Sequence, residues 1–417
     1  MKLTNKMPQQ SGNKEELLMT AIRNKLWLLV LVLVFLLGTA IDSAQAGPLI
    51  KGKRGTWLKI NYSIQLMGVW RDQGSGPDGL DNTTDIFFKR DRITFFGKAA
   101  RKLMFNLQIE HKGARRITDL GINDDATNTL NVLDAFMIWN YSKHFKTRIG
   151  LTKDPLTREN NEGCFSTLSS DRSNFIFTPH AASRDMGIVA WGNFYKNHFQ
   201  YRIGIMEGRE SSDSPKSAFR YTGRVHLTLL DKADTSLIYE GTYLGRKKVL
   251  TFGAGYQVEP DVVYGNLSAK TNAKDNNTWT VDAFFEYPTP SGTFTLSSAY
   301  LDVNFDDAHE SVHPDPKAFG QYGQRNGYYV KAGYLLPKKV GIGKVQFFGR
   351  YEDWDYAQLL EVDDQNLQFY AGGVNYYIRG QKTRITVEYT KTDFEKEDPA
   401  IPCVDFNSVN VMLQFLF

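Results

Sequence analysis

Hydrophobic and polar residues alternate along most of the chain after residue 56. The first segment has apolar side chains at even positions and polar ones at odd positions: Leu58, Ile60, Tyr62, Ile64, Leu66 and Trp70 against Lys59, Asn61, Ser63 and Gln65. A period of two places successive side chains on opposite faces of a β-strand. The alternation returns near 105–110, 198–205, 221–227, 279–286 and 382–389, so the pattern predicts strands with one apolar and one polar face.

The pattern predicts sixteen strands, an even number, as single-chain bacterial barrels require. They lie near 57–70, 87–97, 103–112, 130–141, 145–152, 184–192, 196–206, 219–230, 248–257, 278–287, 291–302, 327–336, 343–352, 366–378, 382–392 and 406–417. Tight connections alternate with long ones, the long ones being 71–86, 113–129, 153–183, 258–277, 303–326, 353–365 and 393–405. Residues 234–243 could form an extra strand, and we interpret them as an extended periplasmic connection.

The chain ends on an apolar alternation that closes with an aromatic residue: Val409, Val411, Leu413, Phe415 and Phe417. A soluble sandwich also alternates, but an exposed ending of this kind would invite aggregation, whereas in a barrel it pairs with the first strand. The ending resembles the C-terminal signature of bacterial outer-membrane barrels, so Leu413, Phe415 and Phe417 are expected to signal barrel assembly to the outer-membrane assembly machinery. A mean hydropathy of −0.39 fits a barrel, because lipid-facing and lumen-facing residues average out.

The N-terminal segment predicts export. Arg23 and Lys25 precede an apolar run over 26–37, and small residues follow at Ser43–Ala46, which is the layout of a signal peptide cleaved after residue 46. A membrane anchor is the alternative, but the run is shorter than the roughly 20 residues that span a bilayer. Met19 would start a signal peptide of ordinary length, so the first 18 residues are a possible start-site artefact. The predicted organisation is a signal peptide over 1–46, a periplasmic lead-in over 47–56 and an outer-membrane β-barrel over 57–417.

Composition argues against several other classes. The net charge is +4, with acidic and basic residues interspersed, which disfavours nucleic-acid binding. Seven histidines are scattered, no nucleophile motif occurs and no metal-ligand spacing is present, so neither an enzyme nor a cofactor is expected. Cys164 and Cys403 fall on predicted outer loops; a disulfide between them or two isolated thiols are both compatible with an exported protein.

Sixteen strands enclose a water-filled channel, whereas about eight are filled by their own side chains. If the apolar face meets lipid, the opposite face sends arginines into the lumen, among them Arg90, Arg92, Arg148, Arg202 and Arg224. The planar guanidinium suits oxyanions because its donors match two oxygens at once. Inward carboxylates are also predicted, so structural arginine–carboxylate pairs are the alternative. The cluster of Lys112, Arg115 and Arg116 at an outer loop is either an anion funnel or a solvated surface.

Several short motifs occur in a fixed order: Lys89-Arg90-Asp91-Arg92-Ile93, Gly97-Lys98, Asp134-Ala135-Phe136, Gly150-Leu151-Thr152-Lys153-Asp154-Pro155, Arg184-Asp185-Met186-Gly187 and Tyr201-Arg202-Ile203-Gly204. Together they resemble the phosphate-selective porin O/P family. The resemblance implies a sixteen-stranded, usually trimeric channel whose long third loop folds into the lumen and narrows it. It places Arg90 and Arg92 on the arginine strand and Lys153 at the opening of the constricting loop, while Asp91 and Lys89 depart from the family pattern. Arg158 and Arg184 flank the same loop and are further candidates.

The sequence therefore predicts an outer-membrane porin for passive diffusion of small inorganic oxyanions through a constriction lined by arginine and lysine. Phosphate is the first candidate solute. Arsenate, selenite, tellurite and sulfate would experience the same positive electrostatic field and the same hydrogen-bond donors. A general diffusion porin, or a barrel sheath around an electron-transfer or secretion partner, are the alternatives. The expected partners are outer-membrane lipid, small anions and two further copies of the chain in a homotrimer.

Overall fold

The computed structural model describes residues 47–118, 120, 127–173, 183–209, 214–232, 237–398 and 403–417. The predicted signal peptide lies outside the described residues. Within the described part no helix is both long enough and apolar enough to cross a bilayer. The strands are β1 (Leu49–Lys51), β2 (Trp57–Ser75), β3 (Asp81–Lys98), β4 (Leu103–Lys112), β5 (Thr129–Asn140), β6 (Lys146–Lys153), β7 (Arg184–Phe194), β8 (Phe199–Met206), β9 (Arg220–Thr228), β10 (Val249–Asn266), β11 (Thr271–Thr289), β12 (Gly292–Asn304), β13 (Arg325–Leu335), β14 (Lys344–Leu359), β15 (Val362–Tyr377), β16 (Thr383–Phe394) and β17 (Phe406–Leu416). The helices are α1 (Arg158–Asn161) and four single 3-10 turns at Lys53–Gly55, Tyr195–Asn197, Ala308–Glu310 and Pro316–Ala318.

Strands β2 to β17 form a closed antiparallel barrel of sixteen strands. Each strand pairs with its sequence neighbours, and the ring closes where β17 pairs with β2, with Met412 opposite Met67. Closure satisfies every strand edge, which is what a sheet in a bilayer requires. All sixteen predicted strands are present, and the predicted barrel is confirmed. The lead-in forms β1, which folds back onto the start of β2 with Leu49 opposite Lys59.

The two faces of the barrel have opposite character. On β8, Ile203 is 55% exposed on the outer face while its neighbour Arg202 is 1% exposed on the inner face. On β11, Val281 is exposed and Asp282 is buried in the same way. An arginine on the lipid face would cost about 2–4 kcal/mol at the bilayer midplane, so the alternation read from the sequence assigns the charged side chains to the interior.

Three of the predicted long connections are wrong. The segments 71–86, 258–277 and 353–365 are largely strand, and the turns shrink to 76–80, 267–270 and 360–361. Outward positions are polar there, as at Asp355, whereas apolar side chains such as Trp354 and Tyr356 face inward, the reverse of the pattern in the apolar belt. The backbone pairing continues beyond the belt, as in Gln358 opposite Asp363. The inner faces of several extended strands and the adjoining loops bury an apolar cluster: Val262, Val263, Ala299, Leu301, Val303, Phe305, Ala308, Ala318, Tyr329, Trp354, Tyr356, Leu359, Leu367, Phe394, Cys403 and Phe406.

The connection between β9 and β10 supplies no barrel strand in the residues described. Residues 234–236 lie outside the described part, and 237–243 contain one isolated bridge, in which Tyr239 pairs in parallel with Glu162. Leu237, Tyr239 and Tyr243 are buried. The connection therefore packs against the segment that follows β6 instead of pairing with a neighbouring strand.

Candidate functional site

The segment 154–173, which follows β6, contacts strands on opposite sides of the barrel. On one side the Arg384 side chain of β16 donates to the Thr167 carbonyl at 2.6 Å, and the Ser170 amide donates to Glu388 at 2.7 Å. On the other side Arg224 of β9 donates to the Leu156 carbonyl at 3.1 Å. Since β9 and β16 are seven strands apart in a ring of sixteen, the segment contacts the inner face of nearly opposite walls. Residues 154–173 are called the inner segment below.

The start of this segment has a local sequence cause. The Asp154 carboxylate accepts from the Leu156 amide at 3.0 Å, which closes a turn around Pro155. Thr157 then accepts from the Asn160 amide at 2.9 Å and caps the single turn α1. Threonine at this position satisfies a backbone donor that a helix start leaves open.

Glu159 on α1 is the main anchor of the segment. Its carboxylate forms an ion pair with Lys331 of β13 and accepts from the Tyr329 hydroxyl at 3.1 Å and the Ser173 amide at 2.6 Å. Burial opposes ionisation, but the Lys331 ammonium holds the pKa of Glu159 below its ordinary value. A second carboxylate, Glu352 of β14, accepts from the Ser173 hydroxyl at 2.5 Å. Both ends of the segment are therefore fastened to the barrel wall by buried charge.

A β-bulge on β3 brings Lys89 to the interior beside Arg90. The register with β2 shifts between Gln65 and Leu66, so two consecutive residues face the same way. Lys89 and Arg90 both bind Asp171 of the inner segment, at 2.7 and 2.8 Å. Burial alone would raise the pKa of Asp171, but these cations hold it well below the usual range. Strict alternation sends Lys89 outward, and the sequence carries no local marker of the bulge.

Half of the eight candidate basic residues are in ion pairs with carboxylates. In addition to Arg90, Arg92 binds Glu110 at 2.6 Å. The remaining two pairs are Arg184 with Asp134 at 3.2 Å and Arg224 with Asp282 at 2.7 Å. Each of these four residues therefore has a carboxylate at ion-pair distance, and Arg90 shares its carboxylate with Lys89.

The other four candidates, Arg148, Lys153, Arg158 and Arg202, have no carboxylate within ion-pair distance among the described residues. Their donors bind neutral acceptors instead: Lys153 donates to the Glu162 carbonyl at 3.1 Å and Arg148 to the Lys153 carbonyl at 3.2 Å. Arg158 and Arg202 lie over the Tyr239 ring at 4.8 and 4.1 Å. The Nε atoms of Arg148 and Arg158 and one Nη atom of Arg202 are buried without a hydrogen-bond acceptor in the part of the chain that the structure describes. These side chains carry positive charge and spare donors on the inner face.

Sequence reasoning did not identify Arg172, which belongs to the same set. It lies on the inner segment, donates to the Asn160 carbonyl at 3.2 Å and leaves its Nε without an acceptor in the described part. Its role could not be predicted, because a loop without periodicity does not reveal which side chains turn toward the barrel wall.

The outer basic cluster is only partly open to solvent. Lys112 and Arg116 are exposed, while Arg115 is half-buried and donates to the Ile117 carbonyl at 2.5 Å. Arg115 also lies 5.4 Å from the Phe87 ring centroid on the inner face. One member of the cluster therefore points from the loop into the barrel.

Cys164 and Cys403 are both buried and free, so the possible disulfide is not formed. The Cys164 carbonyl accepts from Gln65 of β2 at 3.3 Å, whereas the Cys403 sulfur interacts with Gln365 of β15 at 3.1 Å. The two residues pack against different strands, which separates their sulfur atoms. No set of three or more His, Cys, Asp or Glu side chains in the described part is grouped closely enough to hold a metal ion.

We expect Glu162 to make the site sensitive to pH. Burial and the neighbouring Glu159 raise the pKa of Glu162 to about 8, against the opposing effect of Lys331, Arg158 and Arg172. Glu162 thus gains its negative charge only as the pH rises through about 8, and ionised Glu162 offsets the nearby cations. We expect a current carried by anions to fall between pH 7 and pH 9, and Glu162→Gln to remove this step.

The raised pKa of Glu162 also determines how the stability of the protein changes with pH. A carboxyl whose pKa is raised by folding is destabilising when ionised, so the free energy of unfolding should fall as the pH rises from the ordinary value of 4.5 through about 8. A pH titration of unfolding in detergent checks this, with Glu162→Gln as the comparison. A Glu162→Gln protein that keeps the full pH dependence would contradict the assignment.

Comparisons with known proteins agree with this architecture. An uncharacterized protein of Aquifex aeolicus (strain VF5) is 22% identical over 396 residues, covering 88% of both chains. The anion-selective porin from Comamonas acidovorans superposes with a TM-score of 0.54 at 11% identity, covering 87% of this chain and 100% of the other. The trimer form of OmpT, an outer membrane protein of Vibrio cholerae, gives a TM-score of 0.51 at 10% identity, covering 87% and 99%. At these identities the structures establish a common fold.

The family itself is identified by sequence. The model of the family described as phosphate-selective porin O and P matches residues 69–417, which includes β3 to β17, the bulge at Lys89 and the whole inner segment. The closed sixteen-stranded barrel, its apolar outer face and its polar inner face are what that assignment requires. The chain therefore belongs to the phosphate-selective porin O and P family and is a β-barrel porin of the outer membrane.

Proposed function

We propose that the protein is a passive channel for small inorganic oxyanions, in which the segment 154–173 forms the constriction. The observation that carries the proposal is a set of buried or half-buried basic side chains that no carboxylate neutralises in the described part: Arg148, Lys153, Arg158, Arg172 and Arg202. Removing a cation from water without a counter-ion costs free energy. A mobile anion in the lumen would offset that cost at each of these positions.

The basic residues fall into two groups, one with a structural role and one with a role in conduction. The paired residues Arg90, Arg92, Arg184 and Arg224 hold the inner segment and the wall in place through their carboxylates. The unneutralised residues set the sign of the field and offer donors. Several moderate sites suit conduction better than one tight site, because an ion must also leave. Guanidinium and ammonium groups can donate hydrogen bonds to any tetrahedral or pyramidal oxyanion. Phosphate, arsenate, sulfate, selenite and tellurite are therefore all candidate solutes.

The test is a planar-bilayer measurement on the purified protein. The reversal potential under a KCl gradient should show preference for chloride, and added phosphate or selenite should reduce the chloride current by occupying the constriction. A large, unselective and unblocked current would make the protein a general diffusion porin. A folded protein without current would favour the sheath around a partner, and either result would overturn the proposal.

The assembly state is a separate part of the proposal. The apolar outer face suits lipid, and we propose that the protein is a homotrimer, as a structural relative is described in a trimer form. Native mass spectrometry of the detergent-solubilised protein would show a mass of three chains, and a monomer alone would contradict it.

A further inference from the structure

A cavity lies beside the inner segment, between β2, β3 and β14 to β17. Its empty volume, including the open solvent at its mouth, is about 580 Å³. The loop after β4 closes one side and the end of the inner segment closes another. Its lining residues are Met67, Val69, Arg71, Phe87, Lys89, Arg115, Ile117, Thr118, Ser170, Asp171, Arg172, Arg350, Phe369, Glu388, Thr390, Thr392, Phe406, Ser408 and Asn410.

The charge of the lining is positive. It contains five basic side chains, Arg71, Lys89, Arg115, Arg172 and Arg350, and two acidic ones, Asp171 and Glu388. Lys89 shares Asp171 with Arg90, and Arg350 pairs with Glu352, which does not line the cavity. Arg71, Arg115 and Arg172 keep the sum positive. The Nε of Arg172 is buried without an acceptor among the described residues. An anion entering the cavity would meet a net positive field and a spare guanidinium donor.

Another part of the lining is apolar, in contrast to the polar inward positions that precede it on β2. Met67, Val69 and Phe87 are 4%, 6% and 5% exposed and pack with Ile117 into one cluster. On β2 the inward positions before them are polar, ending at Gln65. These apolar residues lie on the inward face, so contact with lipid does not account for them.

We propose that this cavity binds an anion that carries an apolar or aromatic group, such as an aryl phosphonate or carboxylate. An inorganic oxyanion would use only the basic half of the cavity and leave water against the apolar half. An arylated anion would place its charged group toward Arg172 and its ring against Met67, Val69 and Phe87, removing apolar surface from water on both sides. The inference rests on the proposed function for access of anions to the barrel interior, and it extends the range of solutes beyond inorganic ions.

The experiment compares two probes with related charged groups, inorganic phosphate and phenylphosphonate, as blockers of chloride current through the full-length mature protein. We expect phenylphosphonate to reach half-block at a concentration about tenfold lower, since a buried ring removes substantial apolar area from water. The variant Met67→Gln with Val69→Thr should reduce this ratio to about two, on the same area argument. Its phosphate block and chloride conductance should stay close to those of the unmodified protein.

A matched control makes the same exchanges at another inward apolar cluster. Met206→Gln with Val189→Thr alters β7 and β8, neither residue lines the cavity, and the ratio should stay near tenfold. Equal half-block concentrations for the two probes would overturn the inference, as would a ratio that both double variants lower equally. A chloride current without anion preference would instead overturn the proposed function, so the two failures are distinguishable.

Discussion

Replacing Arg148 and Lys153 together by glutamine is expected to lower the anion-to-cation permeability ratio by about tenfold. Each side chain carries a charge that no carboxylate in the described part neutralises, and each lies at or near the base of the inner segment. A unit charge about 6 Å from a passing ion contributes about 0.7 kcal/mol at the dielectric constant of water. Two such charges give roughly tenfold, measured as the shift of reversal potential under a KCl gradient.

The control removes a buried cation together with its partner. Arg92→Gln with Glu110→Gln deletes an ion pair of 2.6 Å and leaves the net charge of the lumen unchanged. Its permeability ratio should therefore stay within about twofold of that of the unmodified protein, because a neutral change adds little long-range field. If both double variants shift the reversal potential equally, the selectivity does not arise from the unneutralised residues.

Replacing Glu159 by glutamine is expected to lower the free energy of unfolding by about 3–5 kcal/mol, because Lys331 is then left buried without its counter-ion. Glutamine keeps the shape of the side chain, so the loss reports on charge. The inner segment should also become mobile, which would appear as current fluctuations in single-channel recordings and as proteolysis within 158–173. Urea unfolding of the refolded barrel measures the free energy of unfolding, and the single-channel recordings report the mobility of the inner segment.

The paired variant Glu159→Gln with Lys331→Met separates charge from packing. Neutralising both partners should recover most of the stability lost in the single variant, since a buried ion pair is often replaceable by neutral groups of similar volume. The pH dependence has a fixed sign: the pKa of Glu159 lies below 4.5, so its stabilising effect is present above that pH and fades as the pH falls below it. If the double variant is no more stable than Glu159→Gln, the stability lost in the single variant is due to packing and not to the unpaired charge of Lys331.

Local periodicity was sufficient to predict the barrel. The positions of all sixteen strands, the seam at β17 and the inward direction of Arg92, Arg202 and Arg224 follow from a period of two, which each strand expresses without reference to any other. The predicted lengths of three connections were wrong, because outside the apolar belt the outward residues are polar and apolar residues such as Trp354 and Tyr356 face inward, which reverses the pattern used to find strands.

The contacts of the inner segment could not be predicted in the same way. Glu159 meets Lys331, and Asp171 meets Lys89 and Arg90, and each of these pairs joins positions far apart in the sequence. The bulge that turns Lys89 inward is a single extra residue without a distinctive composition. Which arginines remain unneutralised depends on where carboxylates from other strands arrive, so it becomes visible only in three dimensions.

The seam between β17 and β2 has a consequence for biogenesis. Gln65 and Gln414 hydrogen-bond at 2.6 Å although 349 residues separate them, so the ring cannot close until the last strand has been synthesised and delivered to the membrane. A chain that stopped before Phe406 would keep fifteen paired strands and two bare edges, which attract other chains. Premature termination should therefore yield an aggregating species that quality control must remove, and not a narrower pore.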